Sequence, residues 1–360
     1  AEGAGEDPYL GSEVARAMVK GYQGKNLSAN NEIMACVKHF ALYGAPEAGR
    51  DYNTVDMSRL RMFNEYFAPY RAAIDAGAGS VMTSFNIVDG IPATANKWLI
   101  TDVLRNTWNF GGFVVTDYES IKEMTTHGLG DRMHSAALAL KAGTDMDMAA
   151  NAFVSTLKSA LEAGMVTEIE IDTAVRRILE AKYKLGLFDD PYKYNDVRRE
   201  KTSIYTEENR REARKIATET FVLLKNEGNL LPLSKQGKIA LVGPLANTAA
   251  NMPGTWSVAA DFSKYKTLLQ GLRDAVGDKA EVLYAKGCNL TADAAEEAGA
   301  TMFGRAMRDS RCEEELLSEA MAVVKDADII VAAMGEASES SGESSSRANL
   351  ELLDVQKRFL

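Results

Sequence analysis

Asp117 closes the run Gly112-Phe113-Val114-Val115-Thr116-Asp117-Tyr118, in which apolar and β-branched residues read as a short buried strand. A carboxylate where such a strand ends is carried out of the core onto the loop face. In a βα-barrel that face is the catalytic one. An Asp in this position also suits the N-cap of the following helix, and the segment alone leaves both readings open. A second source of carboxylates lies far along the chain, in the Gly- and Ser-rich stretch 335–347 with Glu336, Glu339 and Glu343. It follows a predicted strand, and ligands of open α/β sheets bind at the carboxyl ends of strands. A loop of this kind can bring a second carboxylate over Asp117, and paired carboxylates are the apparatus of glycoside hydrolysis. A solvated surface loop has the same composition.

The elements that must position these groups alternate. A strand is expected at Ile33 to Val37, followed by Lys38-His39. From Asp56, Leu60, Phe63, Phe67, Tyr70 and Ile74 recur at helical spacing up to Gly77. Ser80 to Phe85 is the next strand. A helix from about Lys97 to Trp108, capped by Asn96, precedes the Asp117 strand, and a helix at His134 to Lys141 precedes a strand at Thr144 to Met148. This order implies a parallel sheet. A closed barrel of this type needs eight strands, so four leave it open, and Ala1 to Leu10 contain no strand. Either the sheet is open, or the chain starts part-way through a domain, and the polar stretch from Asp189 to about Asn209 reads as a linker. A second α/β unit follows, with strands at Lys238 to Gly243, Ala280 to Tyr284 and Asp328 to Met334, and its three-stranded sheet ends on an unprotected edge. A helix at Glu315 to Lys325 precedes the last of these.

Bulk properties exclude several classes. The 360 residues carry a net charge of −10, which argues against nucleic acid and anionic membrane surfaces as partners. No apolar run approaches the roughly 18 residues of a membrane span, so no membrane insertion is expected. Cys36, Cys288 and Cys312 are far apart and form no CxxC pair, which speaks against a structural zinc. No metal-ligand cluster or phosphate-cradling loop is apparent, so neither metal nor cofactor is expected.

Several blocks, in order, resemble the family 3 glycoside hydrolases. They are Gly5-Glu6-Asp7-Pro8-Tyr9-Leu10, Val37-Lys38-His39-Phe40-Ala41 and Gly49-Arg50-Asp51-Tyr52-Asn53. Val81-Met82-Thr83-Ser84-Phe85-Asn86, Asp89-Gly90-Ile91-Pro92-Ala93, the Asp117 block and Phe221-Val222-Leu223-Leu224-Lys225-Asn226-Glu227 with Leu231-Pro232-Leu233 continue the series. The likeness is nearest to the periplasmic bacterial β-glucosidases, and it implies a retaining exo-acting β-glycosidase that removes terminal β-D-glucosyl residues. It makes Asp117 the nucleophile and Glu343, by its following Ser344-Ser345-Ser346-Arg347, the general acid/base, with Glu339 as runner-up. Lys38 and His39 match the pair that binds sugar hydroxyls, a task suited to directional donors. Tyr118 and Trp256 match aromatic walls of the sugar site. Phe85 stands where some relatives have Tyr, with core packing as its other reading.

The resemblance also implies β-linked oligosaccharides or β-glucosides as partners, a periplasmic or secreted location, and a homodimer for a longer parent protein. A β-xylosidase or glucan exohydrolase would use the same residues, and a carbohydrate-binding remnant without turnover is the alternative from another class. The family's early sugar-binding Asp and Arg have no counterpart, and relatives continue beyond residue 360. The resemblance thus implies an internal fragment, with the C-terminal part of a (β/α)8 TIM-like barrel over 1–189, a linker over 190–215 and an incomplete α/β sandwich domain over 216–360.

Overall fold

Short runs of β-branched and apolar residues build the sheets. The computed structural model describes residues 4–254, 256, 257, 259–300, 308–343, 345 and 349–360, in two units, Ala1–Asn209 and Arg210–Leu360. The first unit contains β1 (Cys36–Phe40), β2 (Thr54–Val55), β3 (Ser80–Thr83), β4 (Ile87–Val88), β5 (Ile91–Pro92) and β6 (Phe113–Val115). β1, β3 and β6 form a parallel sheet in that order, with Val37 opposite Val81 and Val81 opposite Val114. All their carboxyl ends therefore lie along one edge. β2, β4 and β5 make a small separate sheet, in which Asp89 and Gly90, both at positive φ, turn β4 into β5.

Helices cover the parallel sheet. Pro8–Gln23 begins with the Asp7 carboxylate accepting from Leu10 N–H at 2.7 Å. At its end the Gln23 amide ties together the starts of two strands: Oε1 accepts from Ala35 N–H and Gly79 N–H, while Nε2 donates to Gly77 O. The periodic stretch predicted from Asp56 is helical as Arg59–Arg61, a π-helical turn Met62–Tyr66, and Phe67–Asp75. Asn96 accepts from Leu99 N–H at the head of the π-helical Trp98–Thr107. Phe40, Met62, Phe67, Leu99, Leu104 and Trp108 meet in the core between these helices and the sheet.

Two local expectations change. The first strand starts at Cys36 rather than Ile33 and runs through Lys38 and His39, whose polarity masked it; Ile33 is exposed. The strand predicted at Thr144 to Met148 is reduced to a parallel bridge between Met146 and Val115. The reason is that the Asp145 carboxylate takes Val114 N–H at 2.7 Å, displacing a backbone acceptor. The polar stretch read as a linker contains the helices Val197–Ser203 and Glu207–Glu219, with no buried residue in either. Its many straight-chain charged residues favour helix.

The second unit contains β7 (Gly237–Val242), β8 (Ala280–Ala285) and β9 (Ile329–Ala332), a parallel sheet in the order β8-β7-β9. Leu241 and Val242 are buried against Leu269 on one face and Ala320 on the other. The helices Leu268–Val276 and Glu313–Lys325 supply those partners. Together the two units are an α/β fold.

Candidate active site

In the first unit, β1 and β6 flank β3, and the side chains at their carboxyl ends converge. His39 Nε2 lies 3.3 Å from Asp117 Oδ2, with both side chains mostly buried. The other Asp117 oxygen accepts from Tyr118 N–H at 2.7 Å. The cap position of the next helix, Ser120–Met124, belongs to Glu119, at φ 55 and without a side-chain cap bond. The carboxylate is thus turned toward β1 and held at both oxygens. The backbone beneath it is pinned by the bridge segment, as Thr116 N–H donates to Met146 O and Met148 N–H to Thr116 Oγ1.

The β1 end is fixed from several sides. Tyr70 Oη donates to His39 O at 2.6 Å, and Ser84 N–H donates to Phe40 O. Ser84 Oγ and Asn86 Nδ2 both donate to Ala41 O. The Lys38-His39 and Phe40-Ala41 peptide bonds are cis. Burial pushes the Tyr70 hydroxyl well above its ordinary range, so it keeps the proton it donates to His39 O. Lys38 is exposed beside His39. Tyr118 is exposed as well, with 64 % of its surface open. Phe85 is different. Its ring is buried and packs edge-on against Tyr52 at 5.0 Å and tilted against Tyr43 at 6.2 Å.

In the second unit, the acidic loop leaves β9 through Gly335. The fully buried Gln356 anchors it, accepting from Gly335 N–H and donating to Gly335 O and Leu290 O. Ser338 N–H donates to Asn251 Oδ1 from the loop after β7. Beyond the short turn Ser338–Ser341, Gly342 N–H and Ser345 Oγ both return to Glu339 O. Glu343 is exposed on the next turn, and Glu336 is exposed at the loop's start. Glu339 is buried, and burial pushes its carboxyl up. Its Oε1 has no hydrogen-bond partner among the described residues. It faces a cavity of about 720 Å³ that Thr291, Glu296 and Asn349 also line. Ser344, Ser346 and Arg347 of the Glu343 motif lie outside the described residues. Trp256 is half-exposed at φ 63.

Among the described residues, no group of three His, Cys, Asp or Glu side chains is disposed to hold a metal. The first unit thus offers an oriented carboxylate beside an imidazole. The second unit, by itself, offers two exposed glutamates, Glu336 and Glu343, and the buried Glu339 on a single anchored loop.

Two family models match nearly the whole chain: the glycosyl hydrolase family 3 N terminal domain over residues 1–181 and the glycosyl hydrolase family 3 C-terminal domain over 221–360. The chain belongs to glycosyl hydrolase family 3. A periplasmic beta-glucosidase of Salmonella typhimurium is 43% identical over 100% of this chain and 48% of its own length. A beta-xylosidase of Formosa agariphila is 34% identical over 100% of this chain and 49% of its own. The beta-glucosidase of Listeria innocua, solved in complex with glucose, superposes with a TM-score of 0.87 at 40% identity, covering 99% of this chain and 46% of that one. The chain therefore spans about half the length of the relatives it matches.

Sequence reasoning named Lys38, His39, Phe85, Asp117 and Tyr118 as site residues; all five lie in the first unit, where His39 meets Asp117 and Phe85 packs against Tyr43 and Tyr52. It missed Tyr43, Tyr52 and Tyr70. Their signal was present: Tyr70 lies on the predicted helical stripe, and Tyr43 and Tyr52 follow or occupy recognised blocks.

Proposed function

We propose that this family 3 chain is the catalytic portion of a retaining exo-acting β-glycosidase that removes terminal β-D-glucosyl residues. The observation that supports it most is the Asp117 carboxylate, held by Tyr118 N–H and met by His39 at the carboxyl edge of a parallel sheet. Asp117 attacks the anomeric carbon. Glu343 gives its proton to the glycosidic oxygen, and the alcohol leaves. Glu343 then takes a proton from water, the water oxygen bonds to the anomeric carbon, and Asp117 departs as carboxylate with net retention.

Lys38 and His39 bind sugar hydroxyls. Tyr118 and Trp256 are the aromatic walls, and Phe85 backs the wall from within. The first domain, 1–189, is the C-terminal part of a (β/α)8 barrel, joined by 190–215 to a partial α/β sandwich over 216–360. Relatives named as beta-glucosidase and beta-xylosidase favour β-glucosides over other classes, with β-xylosides second. A mutant of the Listeria innocua enzyme was solved in complex with laminaribiose, which supports β-linked glucose oligomers as substrates. A periplasmic or secreted location agrees with the Salmonella relative.

A second reading exchanges Glu343 for Glu339 as the acid. It is favoured by the burial that raises the Glu339 carboxyl, the condition a general acid needs near neutral pH. Leaving-group dependence separates the two. Glu343→Ala should still cleave dinitrophenyl glucoside, whose departure needs little acid help, while losing disaccharide hydrolysis by at least about a hundredfold. Added azide should restore turnover and yield the β-glucosyl azide. If Glu339→Ala shows this pattern instead, the acid is Glu339. If neither does, the acid lies outside this loop.

A further inference from the structure

We propose that Tyr43 is a positioning residue that sets the plane of the His39 imidazole, and through it the orientation of the Asp117 carboxylate. This rests on the reading of Asp117 as nucleophile. The His39 backbone is fixed by Tyr70 Oη at its own carbonyl and by the bonds that Ser84 and Asn86 make to Phe40 O and Ala41 O. Those bonds fix Cα and Cβ but leave the side-chain torsions open, and an imidazole turned about its terminal torsion moves Nε2 away from its partner. Tyr43 meets the imidazole edge to face, with ring centroids 5.0 Å apart and planes at 61°. Tyr43 is itself backed by Phe85 at 6.2 Å, and Phe85 by Tyr52 at 5.0 Å and 87°.

Tyr52, Phe85, Tyr43 and His39 thus form a row of rings that ends on the 3.3 Å contact to Asp117 Oδ2. The two end contacts are T-shaped and the middle one, Tyr43 on Phe85, is tilted at 53°; ring contacts have preferred geometries, so such a row transmits a fixed orientation where one aliphatic neighbour would not. The buried Phe85 has its place in this row. It is the ring that holds Tyr43 against His39.

The test combines kinetics with a readout independent of turnover. Tyr43→Leu removes the ring, and Tyr43→Phe keeps it. With an aryl β-glucoside, Tyr43→Leu should lower kcat by about 10–100-fold with little change in KM, since a misplacement on the order of 1 Å has that scale of effect. Tyr43→Phe should restore at least about a third of the wild-type rate. In a His39→Ala background, Tyr43→Leu should change the rate by less than about twofold, because its effect passes through the missing imidazole.

The chain has 3 histidines, so the His39 Nε2 resonance can be assigned in ¹H–¹⁵N spectra by its loss in His39→Gln. An exchange-protected Nε2–H signal is expected in wild type and Tyr43→Phe. It should vanish in Tyr43→Leu and in Asp117→Asn. If Tyr43→Leu melts early, Tyr43→Met serves in its place, with the same expectations.

Survival of the protected signal in the ring-less variants overturns the proposal, and so does a Tyr43→Leu rate loss that persists undiminished without His39. Should wild type lack glycosidase activity on every glycoside tried, the functional reading fails. The imidazole signal still decides whether Tyr43 orients His39.

Discussion

Replacing Asp145 by Ala should cost the first unit about 4–5 kcal/mol. The Asp145 side chain is 1% exposed and takes three donors: Arg105 Nη2 at 2.6 Å, Arg177 Nη1 at 2.8 Å and Val114 N–H at 2.7 Å. Arg105 also donates to Gly112 O and Gly143 O, so its guanidinium stays in place when the carboxylate is gone. A stranded buried charge costs about 3–5 kcal/mol. The orphaned Val114 N–H adds about 1–3 kcal/mol, and the two losses overlap because the site relaxes once. Arg177, a quarter exposed, turns to water and contributes little.

Burial pushes the Asp145 carboxyl up and the Arg105 guanidinium down, so desolvation opposes the assembled network even while its rupture is costly. A paired Asp145→Leu/Arg105→Met change should therefore recover about 2 kcal/mol over the single variant. Urea unfolding followed by tryptophan fluorescence is the assay, because Trp98 and Trp108 both belong to the first unit's core. A loss below about 1 kcal/mol in Asp145→Ala, at unchanged m-value, would refute the reasoning.

Two further outcomes concern the second unit. Burial pushes the Cys288 thiol from its ordinary value of 9.0 up to about 11. Between those values the folded chain keeps a proton that the unfolded chain has lost, so stability should fall as pH rises through that window, by no more than about 2–3 kcal/mol. Cys288→Ala should flatten this slope in pH-dependent unfolding, and thiol titration of the native protein should find Cys36 and Cys312 but not the buried Cys288. Gly243→Ala should destabilise the unit by at least about 2 kcal/mol, measured by thermal unfolding. Gly243 sits at φ 110 at the end of β7, and a Cβ there would fall 2.4 Å from Ala333 O.

What the sequence made legible was decided by side-chain type. Val81, Val114 and Leu241 announced their strands because buried parallel strands are continuous apolar runs. Lys38 and His39 were read as sugar-binding residues that follow a strand, since their polarity hid that they lie within it. Thr144 to Met148 read as a strand, yet Asp145 spends its carboxylate on Val114 N–H and breaks the ladder. No spacing rule forecasts such a side-chain-to-strand bond. Glu339 and Glu343 were alike as letters in one loop. Their difference, one buried and one exposed, arises from how Gln356 and Asn251 anchor the loop, which involves residues far away in sequence. The same holds for Tyr43, whose place beside His39 depends on Phe85 from β3's end.

Covalent trapping tests the central claim most directly. The protein is incubated with 2,4-dinitrophenyl 2-deoxy-2-fluoro-β-glucoside, whose fluorine slows both steps while the good leaving group lets the first proceed. It is then digested with protease and sequenced by mass spectrometry. One fluoroglucosyl group per chain on the peptide containing Asp117, esterified at that residue and absent in Asp117→Ala, is the predicted result. Release of one equivalent of dinitrophenol should accompany it. A label on any other carboxylate, or steady dinitrophenol release in Asp117→Ala at the wild-type rate, would contradict the assignment of Asp117 as nucleophile.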